Sequence, residues 1–162
     1  MYQAYPGGAQ MPEQQRPAPP QSVLTAVKLM YAGAAVSVLG LIISLATVGS
    51  VKSAIRSADP TYTSSQLHAA EVLIITVAVI EALVGVGLWL WMAWANKRGR
   101  NWARIVATVL FALNTLGLVL NLARPHTIIG TVYSTVLWLI GLSAIILLWR
   151  KESSPYFAAP KI

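Results

Sequence analysis

The chain has 162 residues, of which 56% are hydrophobic and only 10% charged, with a mean hydropathy of +0.63. Soluble domains carry about a quarter charged residues, so this chain lacks the polar surface to coat a water-soluble globule. Its net charge of +7 would suit nucleic acid if it formed a face on a soluble fold, but the basic residues gather at the ends of apolar runs, so no nucleic-acid partner is expected. The absence of cysteine excludes disulfide frameworks, thiol relays and cysteine–metal sites.

Residues 1–22, "MYQAYPGGAQMPEQQRPAPPQS", hold five of the nine prolines among Gln and Gly. Such a segment cannot bury enough apolar surface to offset its chain entropy and reads as a disordered tail. Four apolar runs follow, at 23–49, 72–95, 105–123 and 128–149. Each reaches or approaches the ~20 residues that cross ~30 Å of hydrocarbon as a helix. Period-two alternation is absent, which argues against a membrane β-barrel. The first run is too long for a cleaved signal peptide, has no basic lead and ends in no A-x-A site, so it is expected to stay. The predicted fold is therefore an all-α, four-transmembrane-helix bundle, with residues 151–162 as a second tail.

Basic residues set the orientation. With the N-terminus inside, Arg16, Lys28, Lys97, Arg98, Arg100, Arg104, Arg150, Lys151 and Lys161 are cytoplasmic, and only Lys52, Arg56 and Arg124 lie outside. Both termini are thus expected in the cytoplasm. The stretch "LWLWMAWANKRGRNWAR" (88–104) fits the inner interface. Trp89, Trp91, Trp94 and Trp102 suit headgroup depth, where a ring can be half dry and half wet. Gly99 permits the short turn, and Arg104 can snorkel outward from the third helix. Lys97, Arg98, Arg100 and Arg104 are also candidate contacts for anionic lipid headgroups, at ~1 kcal/mol per basic residue near such a surface. Between the first two runs, "SVKSAIRSADPTYTSSQLHAA" reads as an outer loop of about twenty residues, with Asp59–Pro60 as its turn and "VKSAIRSA" as a short surface helix.

The segment "GLWLWMAWANKRGRNWARIVATVLFALNTLGL", with the preceding "VKSAIRSADPTYTSSQLHAA" loop, resembles a family of small actinobacterial four-helix membrane proteins with a proline-rich leader. The resemblance covers most of residues 22–123. It implies four spans and a bacterial plasma membrane, and brings no catalytic residue with it. The fourth helix and both tails match only in general character.

Lipid gives no hydrophobic drive for helix association, so packing must use small residues and interhelical hydrogen bonds. Gly33, Ser37, Gly40, Ser44 and Thr47 form one stripe of the first helix, and Ala78, Ala82 and Gly85 one of the second. Ala107, Thr108, Asn114, Thr115 and Asn121 share a side of the third with Phe111 and Leu118, and Gly130, Ser134 and Gly141 line up on the fourth. These faces are expected inward, although an outward stripe would serve a homodimer. Glu81 lies at the midpoint of its run, and a charge at that depth costs a few kcal/mol. Asn114 is the midpoint of the third run, and its amide can both donate and accept. A Glu81–Asn114 hydrogen bond locking the second helix to the third is the structural expectation, and proton exchange by Glu81 during transport the functional one.

His68 and His126 lack a third ligand and a supporting carboxylate for a metal. No serine–histidine–acid set, phosphate-binding glycine loop or zinc-protease signature occurs. The expected function is a non-enzymatic structural or accessory subunit of the plasma membrane, without cofactor, contacting lipids and a membrane partner or a second copy of itself. The alternatives are a small proton-coupled transporter working through Glu81 and an anionic-lipid-binding protein using the 97–104 cluster.

Overall fold

The computed structural model describes residues 18–121 and 128–158, excepting the Asn121 side chain. Most of the expected N-terminal tail, together with Arg16, Arg124, His126 and Lys161, lies outside these residues. Helices α1 (Gln21–Ala58), α2 (Ser64–Lys97), α3 (Asn101–Asn121) and α4 (Ile128–Leu148) are followed by a short α5 (Ser154–Ala158). The first four are each long and apolar enough to cross a membrane.

α1 begins directly after Pro20, whose extended backbone starts the helix without needing an N–H. It meets no proline until Pro60 and runs 38 residues. Its hydroxyls turn inward on the helix: Ser37 Oγ donates to Gly33 O (2.9 Å), Thr47 Oγ1 to Ile43 O (2.8 Å) and Ser53 Oγ to Gly49 O (3.0 Å). At the far end Asp59 caps it, donating its N–H to Ile55 O at 3.0 Å. The Asp59 carboxylate also accepts from the Thr61 N–H (3.0 Å) and hydroxyl (2.6 Å), closing a side-chain turn. Thr63 then opens α2 with a capping box, in which Gln66 N–H donates to Thr63 Oγ1 (3.3 Å) and Thr63 N–H to Gln66 Oε1 (2.8 Å).

The twenty-residue outer loop is therefore a helical hairpin with a connection of only residues 59–63. "VKSAIRSA" is the last two turns of α1, not a separate surface helix. The physical reason is that hydropathy marks where hydrocarbon ends, whereas a helix satisfies its own backbone equally well in water. At 1.5 Å per residue, α1 and α2 span about 57 and 51 Å, against about 31 Å for α3 and α4. Each helix of the α1–α2 hairpin is thus about 20 Å or more longer than a ~30 Å hydrocarbon layer, an excess shared between its two ends. Below its tip Lys52 Nζ pairs with Glu71 Oε2 at 2.8 Å, joining the two helices.

At the opposite, basic end, α2 passes to α3 through residues 98–100. Gly99 takes a left-handed φ of 64°, and Arg100 N–H returns to Ala95 O at 3.3 Å. α1 lies between α2 and α4, and α3 packs on α4, whereas α2 and α3 make little contact with one another. The buried core sits at the basic end: Val23, Ala26, Val27 and Met30 of α1, Met92 and Ala93 of α2, Ala107 of α3, Ala144 and Leu148 of α4. α5 turns back beneath them and adds Tyr156 and Phe157. The C-terminal segment is thus part of the fold through residue 158. Tyr156 Oη donates to Lys97 O at 2.5 Å, and Ser153 and Ser22 hydroxyls meet at 2.9 Å.

Two seats of the glycine stripe hold aromatic rings rather than neighbouring backbones. A side chain on Gly33 would come 2.6 Å from the Trp89 ring, and one on Gly40 would run into Tyr133. Trp89 therefore belongs to the bundle interior, not to the headgroup collar expected for it. Between α3 and α4 the contact is zipped by indoles: Trp149 Nε1 donates to Thr108 Oγ1 (2.9 Å) and Trp138 Nε1 to Thr115 Oγ1 (3.0 Å). Each threonine hydroxyl passes the bond on to its own helix carbonyl, so the hydroxyl both accepts and donates.

Candidate functional site

Above the packed basic end the four helices diverge around a cavity of about 840 Å³. Met30, Met92, Ala107 and Ala144, all core residues, form its floor. Its walls rise along α1 to Val51 and along α4 to Ile129, so it reaches the hairpin end of the bundle. Because α2 and α3 pack little on one another, the cavity has its weakest wall there. Trp89, Phe111 and Tyr133 give it aromatic surfaces, each ring seated against a glycine of a neighbouring helix: Gly33, Gly141 and Gly40 respectively.

Glu81 and Asn114 both line this space and both are exposed to it. The hydrogen bond expected between them is not formed among the described residues. The reason is the divergence of α2 from α3, which leaves the cavity between the two side chains. Of the stripes expected inward, Ser37, Ser44, Thr47, Ala78, Ala82, Gly85, Gly130 and Gly141 do line the cavity. Tyr133 lies within electrostatic reach of Glu81 and beside Ser37. No spacing rule over the sequence pointed to Tyr133, because its role depends on which glycine the fourth helix meets.

The second group of candidates divides. Lys97 and Arg98 are exposed at the basic turn, and Arg98 and Arg100 place their guanidinium carbons 4.1 and 4.7 Å from the Trp94 ring centre. That cation–aromatic stack holds both charges at the basic turn. Arg104 does not snorkel outward. Its guanidinium lies 4.5 Å from the Trp149 ring and 5.4 Å from Phe157, and its Nε and Nη1 are buried without a hydrogen-bond partner among the described residues. α5 explains the difference, since Phe157 covers the route by which the side chain would have left. Asn96, wholly buried beside this end, donates Nδ2 to Met92 O at 2.9 Å.

His68 Nδ1 stands 3.7 Å from the Glu71 oxygen that Lys52 already holds. It extends the ion pair of the hairpin. No group of three metal-ligating side chains occurs among the described residues.

The outward faces decide what kind of protein this is. Leu83, Leu113 and Leu120 are 68, 59 and 69% exposed, within a continuous apolar surface on all four long helices. Such a surface is solvated by lipid tails, not by water. The chain is a multi-pass integral membrane protein. No protein-family model, curated protein or solved structure matches it.

Proposed function

We propose that this chain is a non-enzymatic accessory protein of a bacterial plasma membrane, with both termini in the cytoplasm. The observation that carries the reading is the α1–α2 hairpin, whose helices are each about 20 Å or more longer than the hydrocarbon is thick and which closes with its own cap, turn and ion pair. Two joined helices longer than the lipid requires serve contact with another molecule better than they serve anchoring. Nine basic residues against three assign the Gly99 turn to the cytoplasm and the hairpin to the outside. The resemblance to small actinobacterial four-helix proteins supports the choice of membrane. A stoichiometric second polypeptide should co-purify in mild detergent and be lost when residues 57–63 are replaced by a Gly-Ser linker. Recovery of an isolated monomer under both conditions would sink the reading.

The orientation has its own test, because the chain has no cysteines to remove. Ser57→Cys, on the exposed hairpin, should react with an impermeant thiol reagent on intact cells. Ser154→Cys, exposed at the other end, should react only after lysis.

A second reading, small proton-coupled transport, is favoured by one observation: Glu81 faces a cavity rather than a helix interface. Glu81→Gln, which cannot release a proton, would abolish transport while leaving the fold intact. Unchanged phenotype and folding would end that reading.

A further inference from the structure

We propose that the cavity between the four helices is a binding site for a hydrophobic monocation, an ammonium- or phosphonium-type centre carried in an apolar aromatic or alkyl body, paired with Glu81. The inference concerns what the cavity holds, and stands whether the protein acts as an accessory subunit or as a transporter.

The first argument is charge. Among the described residues lining the cavity, Glu81 is the only one with a formal charge, and none of them is a Lys, Arg or His that would oppose it. Nor does Glu81 make a hydrogen bond or ion pair with any described residue. Glu71, in the same helix, shows the contrast: its carboxylate is held by Lys52 at 2.8 Å. An isolated carboxylate in apolar surroundings is costly unless a cation pairs with it. The partner that the protein omits is what a ligand would supply.

The second argument is the shape and chemistry of the walls. A cavity of about 840 Å³ falls within the usual range for small-molecule sites, roughly 300–1,000 Å³. Trp89, Phe111 and Tyr133 face it, and aromatic faces attract cations once water is excluded. The hydroxyls of Ser37 and Thr47 donate to carbonyls of their own helix, so they offer few donors to an anion or a sugar. Asn114 is the one amide on the lining. A neutral lipid chain would satisfy the walls and leave Glu81 unpaired, so the charge selects against it.

The third argument is access. The floor is closed by the basic-end core, whereas α2 and α3 barely touch. A ligand of this class concentrates in the bilayer and can enter sideways between those helices to reach Glu81.

The test uses two ions of the same shape and opposite charge. The full chain in nanodiscs of zwitterionic lipid is titrated with tetraphenylphosphonium or tetraphenylborate, with empty nanodiscs as the blank. Saturable binding of the phosphonium alone is expected. Glu81→Gln should weaken it by about tenfold or more, a factor equivalent to 1.4 kcal/mol, at unchanged helicity and melting. Ala82→Trp, which fills the cavity and keeps the acid, should also reduce it. On the wild type, phosphonium should slow labelling of Glu81 by a hydrophobic carbodiimide, read by mass spectrometry. Absence of saturable binding, equal binding of the borate, or full affinity in Glu81→Gln would each overturn the proposal.

Discussion

The two ends of the bundle are built from equally apolar helices and behave as different materials. At the basic end, five helices meet through alanines, Met30, Leu148 and two rings of α5, leaving little space. Toward the hairpin end the same four long helices enclose a cavity, although α1 and α2 stay together as far as the Lys52–Glu71 pair. Since lipid does not push helices together, closeness is set residue by residue by what the facing surfaces allow. A Cβ on Gly85 would meet Ser37 at van der Waals distance between α1 and α2, whereas Ser44, Thr47, Ala78 and Ala82 line the open cavity.

That contrast can be broken deliberately. Leu148→Ala, at a fully buried position of the basic end, should destabilise by about 2 kcal/mol or more. Leu137→Ala, on the cavity wall, should cost well under half of that, both read by unfolding in mixed detergent micelles. Equal losses would mean the cavity is collapsed in the membrane. Overpacking gives the next effect: Gly33→Val meets the Trp89 ring and should cost roughly 1–3 kcal/mol. Gly87→Ala, with open space around it, should be neutral or stabilising by up to ~1 kcal/mol. Smaller again is Thr115→Val, which removes the acceptor for Trp138 and should cost about 0.6 kcal/mol, the usual worth of an interhelical hydrogen bond in a membrane.

The smallest effect belongs to the hairpin tip. The Thr61 hydroxyl, and after it the Thr61 N–H, hold the Asp59 carboxyl below the ordinary carboxylate range. A depressed folded value stabilises the turn above the unfolded value and loses that contribution as pH falls through the folded one. Amide exchange at residues 59–63 should therefore show more opening on acidification. Asp59→Asn, which keeps an acceptor oxygen, should flatten the pH dependence.

Four spans and the Gly99 turn were legible in the sequence, the first from hydropathy and the second from a glycine between two apolar runs. The hairpin was legible in part. Thr63-x-x-Gln66 is a capping box, and it marks the start of α2 eight residues before the hydropathy run does. The ends drawn at Gly49 and Val72 followed hydrocarbon instead of helix. Trp89 and Arg104 went astray for a different reason. A tryptophan or arginine near an interface has two destinations, lipid or bundle, and the choice depends on which partner stands opposite. For Trp89 that partner is Gly33, for Arg104 it is Trp149 and Phe157. α5 is too short for any periodic signal, so the burial of Tyr156 and Phe157 left no trace to read.

The short C-terminal helix gives the molecule a stoppered vessel's asymmetry. Anything arriving through the open side comes to rest on a bottom sealed from below by two rings, which are tethered by the Tyr156 bond to Lys97 and the Ser22–Ser153 contact. Passage straight through would require both tethers to let go and both rings to be bared to water. Entry and exit by the same doorway require neither.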